Sequence, residues 1–512
     1  MANGAEKADT TAAGSTGRRV QTEVERKYDV DASAVLPDLV GAGPVAGAVA
    51  EEPVRMRAEY FDTADRALSR GRITLRRREG GGDEGWHVKL PGSAGRTEIH
   101  APLTSTSTVP AAVREPVLGY VARSRLEPLA LLETVRAITR VAASDGRLLA
   151  EIADDLVVAR DERTGRERRW REWEVELLDS SGDEGEAVLD AIEERLLAAG
   201  ASPAASASKL ARATGGPIDD SVRAPRDGGE AALAAVRELL RELRAVDPRV
   251  RLETDDALHR MRVLTRRLRS VLAASRSVLD RASTDPVRHE LRWLAGVLGA
   301  ARDEEVLAAR LRAALDDAAR ETGAAGTPTA PFDEIERRHL TALRRVSRTL
   351  RGGRYLALLA SLDALLADPP RTERSGSSAK KLVRRSLAKE LSRVERARRR
   401  ARTDDVSARH EVRKAAKRLR YVVEAWSSVV PDAVTKRQRR LGSLAEDLSD
   451  ALGEERDAAA TRDALLAHAE QARRRGEPAF LLGVVFAHQG HVGGEATRVA
   501  DDALGRLHSL SR

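Results

Sequence analysis

Residues 23–27 read Glu-Val-Glu-Arg-Lys, inside the segment "TEVERKYDV", which has the period of a β-strand. Alternate strand side chains share one face, so Glu23, Glu25 and Lys27 stand together, opposite Val24, Arg26, Tyr28 and Val30. The pattern recurs. Arg76 and Arg78 share a face in "RITLRRRE", with Arg77 opposite; His87 and Lys89 alternate in "WHVKLP". Glu172, Glu174 and Glu176 alternate in "REWEVEL", and Arg136 is in phase with Arg140 in "ETVRAITR". One such strand is ordinarily a solvated face. Several in one short region suggest a shared polar interior. Carboxylates are the hard ligands of Mg²⁺ or Mn²⁺, while Arg and Lys pair with phosphate oxygens. Phosphoryl transfer needs both.

A second set of residues occurs twice. "HRMRVLTRRLR" puts His259, Arg262, Arg266 and Arg269 on one helical face, against Met261, Leu264 and Leu268. "HEVRKAAKRLRY" does the same with His410, Arg413, Lys417 and Arg420, against Val412, Ala415, Leu419 and Val422. Each copy is followed by a Leu-Gly-x-x-Arg-Asp turn, "LGAARD" or "LGEERD", which marks an internal repeat. Stacked like charges repel by a few tenths of a kcal/mol per pair, so such a row wants an anion. A solvated face is the plain alternative for one Arg-rich helix; two copies, each led by His, favour anion binding.

The elements that must position these residues fall into two halves. A chain of 512 residues exceeds one core. The formal charge of +8 divides into about −7 for residues 1–228 and about +15 for 229–512. There is no cysteine, which excludes disulfides and cysteine-ligated zinc. No apolar run is long enough to span a bilayer, and a cytoplasmic location is expected. Residues 1–17 read as a disordered tail. Eight strand-like segments follow, with charged alternate faces that suit a closed barrel with a polar interior, and then an amphipathic helix at "GEAVLDAIEERLLAAG". Residues 216–228, in a Gly/Pro/Asp-rich stretch, read as a linker before a helical half over 229–508. Aromatics make up 3 % of the chain, so base stacking is poorly supported and nucleic acid is disfavoured as partner.

The first half resembles the CYTH domain, also called the triphosphate tunnel metalloenzyme fold, over 18–215. "EVERK" matches its ExExK motif, and "YFDTADRALSRGRITLRRREGGGDEGWHVKLPGSAGRTE", "EIADDLV", "EWEVEL" and "SKLAR" follow its later run. The resemblance implies an eight-strand antiparallel tunnel, α+β in class, that hydrolyses triphosphates with Mg²⁺ or Mn²⁺. It implies metal-side carboxylates at Glu23, Glu25, Glu172, Glu174, Glu176 and Asp155, with Asp154 as the alternative in the doubled Asp. Lys27, Arg76, Arg78, Lys89, Arg136 and Lys209 would contact phosphate, as would Arg140 and Arg96 on a weaker match. Glu98 is either an ion-pair partner or a direct participant; Tyr60 and Trp86 read as packing residues, and His87 as an ordinary strand residue. The second half resembles the CHAD domain, a helical bundle with internal twofold repeat that binds inorganic polyphosphate. The implied contacts are His259, Arg262, Arg266, Arg269, His410, Arg413, Lys414, Lys417, Arg418 and Arg420, with Asp303 and Asp457 orienting them. The expected activity is hydrolysis of tripolyphosphate or a related triphosphate. The alternatives are a non-catalytic polyphosphate binder and a nucleoside or thiamine triphosphatase or adenylate cyclase.

Overall fold

The computed structural model describes residues 19–511, apart from 93–95, 179–181, 207, 217–222, 255, 324–329 and 402–405. The expected tail at 1–17 and the middle of the linker lie outside the described residues. The chain parts into two compact units between residues 221 and 222.

The N-terminal unit is built on one antiparallel sheet. Its strands are β1 (Arg19–Glu23), β2 (Glu25–Val30), β3 (Gly47–Ala50), β4 (Val54–Asp62), β5 (Thr74–Glu79), β6 (Gly85–Leu90), β7 (Arg96–Ala101), β8 (Glu127–Ala142), β9 (Leu148–Asp161), β10 (Glu167–Leu177) and β11 (Ser202–Pro203). The order is β1-β7-β6-β5-β4-β8-β9-β10-β2-β11, with β3 beside β8. Sequence reasoning expected eight strands. Among the described residues there are eleven, because the first divides at Val24 and because β3 and β11 are short additions. The division matters: residues 19–23 pair with β7, whereas 25–30 pair with β10. The sheet order therefore starts and nearly ends on one continuous segment, and the sheet curls.

One face of the curl is apolar and covered. Helix α4 (Asp183–Ala198) lays Val188, Leu189, Ile192 and Leu196 on Tyr28, Ile152, Trp173 and Val175. Arg26 also points this way and pairs with Glu186 at 2.7 Å and Glu193 at 2.6 Å, while the Tyr28 hydroxyl donates to Glu193 at 2.9 Å. The other face is left to the charged residues. The one-turn helices α1 (Ala67–Arg70), α2 (Ala111–Arg114) and α3 (Leu118–Val121) sit in connections, and α5 (Lys209–Ala213) sets Leu210 and Ala213 against Ala58, Tyr60, Leu132 and Trp170. The "YFDTADRALSRG" stretch is a structural turn. Asp62, 2 % exposed, accepts hydrogen bonds from the backbone of Thr63 (2.7 Å), Leu68 (2.9 Å) and Ser69 (2.9 Å) and from the Ser69 hydroxyl (2.6 Å).

The C-terminal unit comprises α6 (Gly228–Arg251), α7 (Ala257–Ala274), α8 (Arg281–Thr322), α9 (Ala330–Arg351), α10 (Gly353–Ala367), α11 (Ala379–Arg400), α12 (Val406–Val429), α13 (Lys436–Arg475) and α14 (Phe480–Ser511). α7 packs between α6 and α8, α12 between α11 and α13, and α7 also meets α12. The apolar faces read from the repeat are the buried ones: Met261, Leu264, Leu268, Val412, Ala415, Leu419 and Val422. The Leu-Gly-x-x-Arg-Asp motifs are not turns. They lie inside α8 and α13, helices of 42 and 40 residues. One glycine costs about 1 kcal/mol of helix propensity, too little to break a run of Ala, Leu, Glu and Arg.

Replacing Asp62 by alanine strips the acceptor from four donors at one turn. It should lower the stability of the N-terminal unit by about 2–4 kcal/mol, read as a lower urea midpoint. An unchanged midpoint would show that the turn does not need this carboxylate.

Candidate functional site

The uncovered face of the curled sheet gathers ionised side chains from most of its strands. Asp155, wholly buried on β9, takes a bidentate pair from Arg136 on β8 at 2.7 and 2.6 Å. Lys209, carried on α5, lies among three carboxylates: 2.9 Å from Asp155, 2.6 Å from Glu172 and 2.6 Å from Glu174. Lys27 pairs with Glu174 and, at 2.9 Å, with Glu25. Lys89 pairs with Glu23. Arg76, Arg78, Arg136 and Lys209 line a small cavity together with Tyr60, Thr134, Met56, Ala58 and Leu132. The strand periodicities thus bring Glu23, Glu25, Lys27, Arg76, Arg78, Lys89, Arg136, Asp155, Glu172, Glu174 and Lys209 into one connected set.

Other expected residues fall differently. Asp154 faces away and holds Arg171 at 2.8 and 2.6 Å, which resolves the doubled Asp in favour of Asp155. Arg140, more than a third exposed, pairs with Glu51 and with Glu151 at 3.3 Å, away from the cavity lining. Arg96 lies 3.5 Å from Glu25. Glu98 takes the ion-pair role, near Arg76 (3.7 Å) and Lys89 (3.9 Å). His87 is not an ordinary strand residue: it is 2 % exposed, with Nδ1 2.9 Å from Glu98 and Nε2 2.9 Å from the Asp83 carbonyl. Trp86 packs on Phe61 and donates to Thr104 at 3.0 Å. Tyr60 belongs to a core cluster, yet it and Thr134 line the cavity. Period 2 counted back from Arg136 would have found Thr134, and the β4–β5 register sets Tyr60 opposite Arg76.

The electrostatics are uneven along this face. Around Lys209 charge is balanced. Burial alone would raise Asp155 and Glu174, but Lys209 and Arg136 outweigh it and hold both low; Lys27 adds to the effect on Glu174. Toward the cavity, cations are in excess. Burial, then Arg76 and Arg136, push Arg78 down to about 9, although Asp83 touches its guanidinium. Toward Glu176 acids are in excess. Burial, Glu23 and Glu25 push Glu176 up to about 7, against the opposing effect of Lys89. Burial and like-charged neighbours thus act on Arg78 and Glu176 in opposite directions.

The donors suit a divalent metal ion. Asp155, Glu172 and Glu174 each offer an oxygen within 4.8 Å of the others. All are hard carboxylate donors of the kind Mg²⁺ and Mn²⁺ take. The Lys209 ammonium already stands among them as a cation. The acid excess at Glu23, Glu25 and Glu176 gives a second reason for a divalent charge here.

In the C-terminal unit, the two repeated helices bring their cations together. His259, Arg262 and Arg266 of α7 meet Arg413 and Lys417 of α12, with Arg302 and Arg456 beside them. Burial and the neighbouring Arg413, Arg266 and Arg262 push Lys417 down to about 7. Burial also lowers His259 and His410. Asp303 lies 3.8 Å from Arg262 and 3.2 Å from Arg456, and Asp457 lies 3.3 Å from Arg456. Arg269 joins Arg288, Arg292 and Arg418, and burial with these cations lowers it to about 10.

Three of the expected contacts have close acid partners. Arg420 is held by Glu424 at 2.6 Å and Glu446 at 2.7 Å, Arg418 by buried Glu390 at 2.7 Å, and exposed Lys414 by Glu411 at 2.8 Å. The helical face read from the sequence was right, but acids from α11, α12 and α13 answer these cations. Arg302 and Arg456 were missed, although each directly precedes the Asp of its repeat motif.

Replacing Lys209 by methionine tests the balance. In the wild type Asp155 and Glu174 are held low, so the stability they supply is present at neutral pH and lost on acidification. Without Lys209 three carboxylates are left short of counter-charge, so destabilisation of about 3–5 kcal/mol is expected near pH 7, shrinking toward pH 4. Millimolar Mg²⁺ should restore part of the lost melting temperature; no response to Mg²⁺ or Mn²⁺ would remove the metal fit.

The sequence model of the CYTH domain matches residues 21–212, and that of the CHAD domain matches 234–466. The chain is 35% identical over 511 residues to the uncharacterized protein Rv2226 of Mycobacterium tuberculosis (strain H37Rv), covering 96% of this chain and 97% of that one. Among solved structures it is similar to PptA from Streptomyces chartreusis, with 23% identity, TM-score 0.43, and coverage of 54% of this chain and 99% of that one. It is also similar to the CHAD domain from the plant Ricinus communis, with 22% identity, TM-score 0.41, and coverage of 57% and 93%. A curled antiparallel sheet with a polar face, a repeated basic helix and both sequence matches make one assignment: the chain belongs to the family of proteins that join a CYTH domain to a CHAD domain.

Proposed function

We propose that the N-terminal unit hydrolyses inorganic tripolyphosphate, or a related short triphosphate, with Mg²⁺ or Mn²⁺, and that the helical unit binds inorganic polyphosphate. The uneven charge of the tunnel face carries the first part. The cations Arg76, Arg78 and Arg136 beside the carboxylates Glu23, Glu25 and Glu176 suit a phosphate chain bound with a divalent ion. A bound divalent ion would polarise the phosphoanhydride and neutralise developing charge. Arg76, Arg78, Arg136 and Lys209 would hold phosphate oxygens and stabilise charge in the transition state. Lys27, tied to Glu174, would keep that carboxylate ionised and oriented, and Lys89 would orient Glu23 and oppose the burial that raises it. The lining of the cavity, four cations with two hydroxyls and three short apolar contacts, favours phosphate over a nucleoside.

The second part rests on the row of half-buried cations shared by α7 and α12. Such a row needs only a spaced polyanion and offers no base readout. One chain carrying both units suggests that polyphosphate binding serves the tunnel, by tethering or by presenting chain ends.

Two measurements test this. Phosphate release from tripolyphosphate, ATP and thiamine triphosphate should be fastest with tripolyphosphate, and Glu172→Gln with Glu174→Gln should lower kcat by about a hundredfold or more. Full turnover after metal removal overturns the metal-dependent reading, and no phosphate release from any of the three overturns the hydrolytic one. For the helical unit, Lys417 carries charge below about pH 7 and loses it above. Polyphosphate affinity at constant ionic strength should therefore fall as pH rises from 6 to 8.5, and Lys417→Arg should flatten the profile. Duplex DNA bound as tightly as polyphosphate at matched salt would defeat the choice of partner.

A further inference from the structure

Both long helices that follow the repeated basic helices carry a buried glycine in mid-span, Gly299 in α8 and Gly453 in α13. Neither needs a left-handed backbone, and alanine is the better helix former at such a position. What each glycine faces is an arginine. A methyl group on Gly453 would lie 2.7 Å from Nη2, 3.4 Å from Nε and 3.5 Å from Cζ of Arg413, so the guanidinium lies against bare backbone. The Arg413 Nε donates to the Ser449 carbonyl, one helical turn earlier, at 3.3 Å. In the other copy a methyl on Gly299 would lie 3.5 Å from Nε of Arg262, an ordinary contact distance, so of the two glycines Gly453 alone is crowded by its arginine.

We infer that Gly453 is a positioning residue of the cationic row: it leaves a bare patch of helix on which Arg413 seats, setting its depth beside Arg266 and Lys417. The inference rests on the polyphosphate reading of that row. It explains why the Leu-Gly of the motif sits inside a helix rather than at a turn. A different glycine of α13 provides the contrast. A methyl on Gly442 would lie 2.7 Å from Cγ1 of Val423, so that glycine serves close apolar packing against α12.

The two roles separate experimentally, because alanine favours the helix and only obstructs the arginine. Gly453→Ala in the full chain should melt at or above the wild-type temperature while its affinity for long-chain inorganic polyphosphate weakens about tenfold. The slope of log K against log salt should become shallower by about one, the signature of one lost phosphate contact. Combining it with Arg413→Ala should add little to the loss from Arg413→Ala alone. Gly442→Ala should instead lower the melting temperature. Wild-type affinity and salt slope in Gly453→Ala, an additive loss in the double variant, or a melting drop like that of Gly442→Ala would each overturn the inference. Failure of the wild-type chain to bind polyphosphate would instead overturn the reading beneath it.

Discussion

A charge taken out of water must be answered within a few ångströms, or the chain will not keep it ionised. In the N-terminal unit Lys209 does much of this answering. It comes from α5, outside the strands that carry its partners, and meets Asp155, Glu172 and Glu174 at once. The register of β8, β9, β10 and β2 then completes the lattice through Arg136 and Lys27. The curl of the sheet brings these faces together, and the apolar contact with α4 leaves the charged face uncovered by that helix.

The same constraint is met unevenly along the charged face. Arg78 and Glu176 are displaced from their usual ionisation in opposite senses, first by burial and then by neighbours of like charge. The helical unit shows the contrast within one helix. Arg420 has three acids around it, whereas Lys417, three residues earlier, faces Arg413, Arg266 and Arg262 and loses its grip on a proton. Two cations on one stripe therefore differ in what they can offer a polyanion.

Much of this was legible in advance. Charges spaced by two identified the strands and their shared face, and the repeated His-x-x-Arg pattern identified the two basic helices, because side-chain direction follows from backbone period. Asp62 shows a limit of motif reading: its carboxylate, embedded in a run that follows a phosphate-handling family, ties a turn. The Leu-Gly-x-x-Arg-Asp motifs show another, since a lone glycine suggests a turn until the long helix around it is seen.

The sequence by itself determined which residues share a face, where the two units divide in character, and that both depend on paired acids and cations. Local periodicity is enough for that. Only the tertiary structure decided which charges remain unanswered. It chose Asp155 over Asp154, sent Arg140 away from the cavity, set acids beside Arg418 and Arg420, and added Thr134, Tyr60, Arg302 and Arg456. The physical reason is that ionisation depends on distances between elements far apart in the chain, and those distances are set by strand register and helix packing rather than by the spacing of residues along one element.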